Sequence, residues 1–182
     1  MASCDDRSAD LSPPKRRATA RLKLLPSFAP PKMPAVSGLT ATMNIAEGLP
    51  LRATAEFRFV IPSTPAALSA TVRLVRMTME WMAFDQDWTV RTELSLHEAL
   101  LNAHFHGNEA NAGREIRVGC SLGPGKVEME VADEGHGYTN PALSLPLKGQ
   151  SHGRGLYLIR QFMNSVAVHD NGRRIVMSLN KE

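Results

Sequence analysis

From residue 56 onward, apolar positions follow two periods in turn, and the switches between them outline a domain. Glu56–Ile61 alternates with period two and is rich in β-formers, which predicts a strand that Pro62 ends. Ser63 or Thr64 then caps a helix with Pro65 in its first turn, and Leu68, Val72, Val75 and Met79 recur at helical spacing to about Trp81. A loop around Phe84–Asp87 leads into a second helix, from about Thr89 to His106, stopped by Gly107 and Asn108. Arg114–Leu122 and Lys126–Ala132 read as strands joined through Gly123-Pro124-Gly125. Residues 138–152, with Pro141, Pro146 and Gly149, read as loop. Gly155–Asn164 reads as a third helix, and Val166–His169 with Ile175–Leu179 as a closing hairpin around Asn171-Gly172.

The order strand-helix-helix-strand-strand-loop-helix-strand-strand predicts an α+β fold, a two-layer α/β sandwich with helices on one face of a mostly antiparallel mixed sheet. The domain is expected over 56–182, with 36–55 as a linker or edge segment. Residues 1–35 hold six of the twelve prolines and lack periodicity, which predicts a disordered, basic, proline-rich tail.

Charge follows the same division. The tail carries seven Lys/Arg against three Asp/Glu, and the remainder 14 against 15, so the basic balance belongs to the tail. The folded part offers no basic face, and no direct nucleic-acid binding is expected. No apolar run reaches the ~18–20 residues of a membrane span, and the N-terminus lacks an apolar h-region. Cys4 and Cys120 form neither a disulfide framework nor a metal spacing, which fits a reducing cytoplasm.

The chemistry concentrates in three short motifs. On a helix, Glu98, Asn102 and His106 are spaced i, i+4, i+8 and form one polar stripe. It lies beside an apolar line of Leu94, Leu101 and Phe105, while Leu96, Leu100 and Ala103 make a second apolar face, so the helix is expected to be buried on most sides. A buried helix needs something polar against such a stripe, and a cleft at the core edge supplies it. An Asn oxygen is a hard, neutral Mg²⁺ ligand, and a Glu one turn earlier can accept a proton from a water or hydroxyl. A solvated surface helix produces the same spacing. His97-Glu98 hints at a zinc helix, but position 101 is Leu, and His104 and His106 point apart; His104 is expected to be packed or at the surface.

Val127, Met129 and Val131 alternate with Glu128 and Glu130, so Asp133 sits at a strand exit, followed by Gly135 and Gly137. A carboxylate there can accept a hydrogen bond from the exocyclic amine of adenine, where guanine presents a carbonyl. A plain Asp-x-Gly turn is the simpler alternative. Gly153-Arg154-Gly155-Leu156 opens the third helix, and its glycines admit phosphate oxygens to backbone N–H groups, with Lys148 and Arg154 adding charge. Neither a P-loop nor a Rossmann pattern is present.

In this order, the three motifs resemble the GHKL superfamily of ATPases, which includes gyrase B, the histidine kinases and the anti-sigma-factor serine kinases. Glu98–Asn102 through His106-Gly107-Asn108 is similar to its N box, Asp133–Gly137 to its D-x-G-x-G box and Gly153–Leu156 to its glycine box. The run Gly153–Arg160, the short 138–152 connection and the ending Ile175–Lys181 are most similar to the anti-sigma serine-kinase branch. The resemblance implies a Bergerat-type sandwich that binds ATP and Mg²⁺. Glu98 would be the general base and Asn102 the metal ligand, with His106, Asp133, Gly135, Gly137, Gly153, Arg154, Gly155 and Leu156 around the nucleotide. It also implies a homodimer that binds a sigma factor and phosphorylates an antagonist protein on Ser or Thr. Two departures, Asn164-Ser165 after the last helix and Arg173-Arg174 before the last strand, leave open a non-catalytic nucleotide sensor that sequesters a partner.

Overall fold

Period-two alternation puts every second side chain of a strand on one sheet face, and four strands of this chain share a single apolar face. The computed structural model describes residues 40–45, 54–137 and 154–181, with backbone only for 40–45. Six strands form one sheet: β1 (Thr40–Ile45), β2 (Ala55–Pro62), β3 (Glu115–Gly123), β4 (Lys126–Asp133), β5 (Ser165–His169) and β6 (Arg174–Asn180). Their order is β1-β2-β3-β4-β6-β5, and every described pairing is antiparallel.

The register aligns the buried positions into rows across the sheet. Phe57 pairs with Cys120, Cys120 with Met129 and Met129 with Met177. The next row is Phe59, Val118, Val131 and Ile175, and a third is Ala55, Leu122, Val127 and Leu179. All twelve are buried, whereas Arg58, Arg117 and Glu128 on the other face are exposed. Such one-sided patterning calls for a covering layer, and the helices provide it.

Helix α1 (Pro65–Trp81) is capped by Thr64, whose hydroxyl accepts from the Ala67 N–H, with Pro65 in its first turn. Its stripe of Leu68, Val72, Val75 and Met79 is wholly buried. The buried hydroxyls of Thr71 and Thr78 donate to the carbonyls one turn back, Ala67 and Leu74, at 2.9 Å. Helix α2 (Gln86–Asn102) packs on α1, and α3 (Arg154–Phe162) packs on α2. The Arg91 Nε donates to the Phe162 carbonyl at 2.8 Å, which pins the C-terminal end of α3 to the first half of α2.

The two-layer arrangement, the three helices and the strand order along the chain match the sequence expectation. Within 36–55, left by the sequence as a linker or an edge segment, β1 lies antiparallel on β2. The expectations for residues 1–35 and 138–152 lie outside the described residues.

Three features differ. Helix α2 begins at Gln86 instead of Thr89, because the Asp85 side chain accepts from the Asp87 N–H at 2.8 Å and caps it earlier. Its α-helical part stops at Asn102, and Ala103–Gly107 forms a π turn in which the Asn108 N–H reaches the Ala103 carbonyl at 2.7 Å. The helix is also less enclosed than expected: Leu94 is 41% and Phe105 56% exposed, while Leu96, Leu100 and Ala103 are buried. Periodicity identified both apolar lines, but neighbours fully cover only one of them, and of the other only Leu101 packs against the core.

Candidate functional site

The helical i, i+4 spacing does place Glu98 and Asn102 together, and α3 shows what they face. A β-carbon added at Gly155 would lie 2.9 Å from the Glu98 Oε2 and 3.1–3.2 Å from the Asn102 amide. The start of α3 therefore approaches this pair as closely as backbone can. Among the described residues no side-chain hydrogen bond or ion pair engages Glu98 or Asn102, and both are half-buried. The α-helix gives way to a π turn after Asn102, and His106, in that turn, is exposed. His104 is packed: its Nδ1 shares a 2.9 Å hydrogen bond with the buried Ser63 hydroxyl, and its ring meets Phe105 edge-on.

Asp133 ends β4 on the core face. In the register it pairs with Ile116, which pairs with Ile61, and both isoleucines are fully buried. A carboxylate thus occupies the apolar end of a sheet row. It is 7% exposed, and burial pushes its pKa above the ordinary carboxylate value, opposed by the Gly135 N–H that donates to its Oδ1 at 2.8 Å and by the charge of Arg173. The Asp133 N–H donates to the Arg173 carbonyl at 3.0 Å, which continues the β4–β6 ladder by one rung.

Glycines make this packing possible. A β-carbon on Gly107 would collide with the Asp133 carboxylate, and one on Gly135 with the Gly107 carbonyl. Gly137 has φ +75, and its open side presses on the Asn171 carbonyl in the β5–β6 turn. Asp170, Asn171 and Gly172 in that turn all have positive φ, at 53, 55 and 92°.

Between these groups lies a narrow cleft lined by Ala99, Asn102, Ala103, Val131, Asp133, Gly172, Arg173 and Ile175. Its lining is mostly apolar, with the Asp133 carboxylate and the Asn102 amide as polar members. The model of the histidine kinase-like ATPase domain matches residues 61–179, well over half of the chain.

The chain belongs to this family. It is an ATP-binding domain of GHKL type, and no curated protein matches it. Asn102 and Asp133 line one cavity, and Glu98 stands with Asn102 beside Gly155. Leu156 is buried behind Gly155, Arg154 is exposed at the start of α3, and Gly153 lies outside the described residues. Among the described residues no cluster of three or more His, Cys, Asp or Glu side chains forms a metal site, and no helix is long and apolar enough to cross a membrane.

Two roles were not legible as such. Gly172 joins the cavity wall through the β5–β6 turn, which the sequence marks only as a hairpin, beside Arg173, already marked as a departure from the resemblance. Asn108 reads in the sequence as a helix stop and, by the resemblance, as the end of the N box. In the fold it is fully buried and bonded on both sides of its amide.

Proposed function

We propose that the protein is an ATP-dependent serine/threonine kinase that acts as an anti-sigma factor in a partner-switching module. The observation that carries this reading is the meeting of Glu98, Asn102 and Gly155. A carboxylate without a partner among the described residues stands one helical turn from a neutral oxygen ligand, where the backbone of α3 comes within contact. ATP would lie with its base against Asp133 and its phosphates toward Asn102 and Gly155.

Mg²⁺ fits the same place. The Asn102 oxygen is free among the described residues to join its waters, and Gly155 leaves space that any side chain would fill. When bound, the ion neutralises charge on the phosphate oxygens. Glu98 takes the proton from the incoming Ser or Thr hydroxyl as its oxygen bonds to the γ-phosphorus. The bond from that phosphorus to the bridging oxygen breaks, and ADP leaves with the electron pair. The acceptor gains roughly −1.5 to −2 charges, enough to expel an antagonist protein from a fitted interface. The protein would alternate between a sigma factor and this antagonist, in the cytoplasm and as a homodimer.

Incubation with labelled ATP and candidate antagonists tests the reading. Transfer to an antagonist hydroxyl is expected from the wild type and not from Glu98→Ala. Absence of transfer from the wild type, with Glu98→Ala alike in every assay, would overturn the kinase. A nucleotide sensor that captures its partner without phosphorylating it then becomes the better account, and Arg173 on the cavity wall favours it.

A further inference from the structure

Three segments that are distant in sequence meet at one buried amide. The Asn108 Nδ2 donates to the Glu115 carbonyl at 2.9 Å, and its Oδ1 accepts from the Glu134 N–H at 3.0 Å. The Glu134 side chain returns across the same gap, its Oε2 accepting from the Glu115 N–H at 2.9 Å. The exit of the π turn, the first residue of β3 and the residue after Asp133 are thereby closed into a ring of three hydrogen bonds. Asn108 is fully buried while Glu134 is exposed, so the ring has a dry inner member and a wet outer one.

The ring bears on Asp133 from both sides. Glu134 directly follows the carboxylate, and its N–H is the group Asn108 holds. Gly107 directly precedes Asn108, and its α-carbon is seated against that same carboxylate. The Arg114 Nη1 donates to the Gly107 carbonyl at 3.4 Å, adding a weaker tie from the segment before β3. Rotation of the Asp133 side chain is limited by Gly107 on one side and by the Gly135 N–H on the other. Both of those neighbours are placed by backbone that Asn108 anchors.

We propose that Asn108 is a positioning residue for nucleotide selection: it aims the Asp133 carboxylate through the Glu134 N–H and the Gly107 backbone. It touches no nucleotide. The inference rests on the reading of Asp133 as the group that meets the base. A buried amide that only held the fold together would support both nucleotides equally, whereas an aiming residue acts on the difference between adenine and guanine.

The test compares ATP and GTP affinities by calorimetry for the wild type, Asp133→Asn, Asn108→Ser and Glu134→Ala. A serine hydroxyl is too short to bridge both partners. Asn108→Ser is expected to reduce the ATP-to-GTP preference roughly tenfold, the scale of one misplaced hydrogen bond. Glu134→Ala, altered only at the exposed member, keeps its fold and is expected to reduce the preference in the same direction by a smaller factor. It decides the matter if Asn108→Ser does not fold. The Gly135 amide proton, bonded to the Asp133 carboxylate, is expected to shift upfield in both variants by NMR. A wild type without preference for ATP overturns the role of Asp133 and this inference together. A selective wild type with variants that keep its preference, weakening both nucleotides alike, overturns the inference and leaves Asp133 standing.

Discussion

At the Asp133 end of the cavity, Asp133, Gly135, Gly107 and Asn108 hold one another through hydrogen bonds and backbone contact. Where α2 meets the start of α3, Glu98 and Asn102 have close neighbours but no hydrogen-bonding partner among the described residues. On the proposed reading these are the base and phosphate ends of the site, and the contrast separates recognition from chemistry. A group that discriminates between bases must be fixed before the ligand arrives, because a mobile acceptor would adapt to the wrong one. A base and a metal ligand gain by keeping their lone pairs uncommitted until substrate is present. Substitutions at the two ends should therefore fail in different ways.

The largest effect is expected where backbone meets backbone. Gly135→Ala drives a methyl into the Gly107 carbonyl, which cannot retreat without moving the π turn. A loss of about 3 kcal/mol or more in denaturant unfolding is expected, the upper range for overpacking, together with loss of ATP binding. Near-wild-type stability would show that the base end is softer than its contacts imply.

Glu98→Ala should separate the ends most cleanly. Phosphoryl transfer is expected to fall by about 10²–10⁴-fold, the range for a removed general base, with ATP affinity changed only a few-fold. Asn102→Ala should instead weaken binding of the Mg²⁺ complex, measured as a smaller affinity gain when Mg²⁺ is added to ATP. If both variants lose ATP affinity alike, the division of labour is wrong.

Asp133→Asn exposes what the fixed end costs the fold. Folding raises the pKa of Asp133, so the stability linked to its protonated form is full below the ordinary carboxylate pKa and is lost as pH rises through the folded value. The asparagine carries no such loss. In urea titrations the variant should gain on the wild type as pH rises from about 4 to 7, and the gap should close in acid. It should also lose about 1–3 kcal/mol of its preference for ATP over GTP. A gap independent of pH would mean that the carboxylate is solvated in the folded state.

The smallest stability change belongs to Gly155→Ala. The new methyl meets the flexible end of Glu98 at 2.9 Å, a contact that rotation relieves. Alanine also favours the helix by about 0.8–1 kcal/mol over glycine, so melting should scarcely move. Affinity for Mg-ATP should nevertheless drop, since the methyl fills space beside Asn102.

How much of this was legible depends on how local the cause is. The Thr64 cap, Pro65 and the stripe from Leu68 to Met79 act within one segment, and α1 was readable almost to the residue. Alternation located β2, β3, β4 and β6 for the same reason. Glu98 with Asn102, and Asp133 at its strand exit, were readable because their spacing sets their geometry. The exposure of Leu94 and Phe105 was not, because periodicity groups side chains without saying which group another element covers. The π turn was also hidden, since an i+5 bond leaves no repeat in five residues. Asn108 looked like a terminator because its partners, Glu115 and Glu134, lie 7 and 26 residues away.

The turn from Ala103 to Gly107 has one further consequence, for how the chain tolerates editing. It carries one residue more than an α-helix would need to cover the same arc. Trimming any one of Ala103 to His106 would let the helix close as a regular spiral, with every amide still bonded. The shortened chain would still deliver Gly107 close to its original angle, because four α-helical residues sweep about the arc that the five of the π turn do. Among length changes in this turn, that one-residue deletion is the edit expected to leave both the helix and the seat of Gly107 against Asp133 in place.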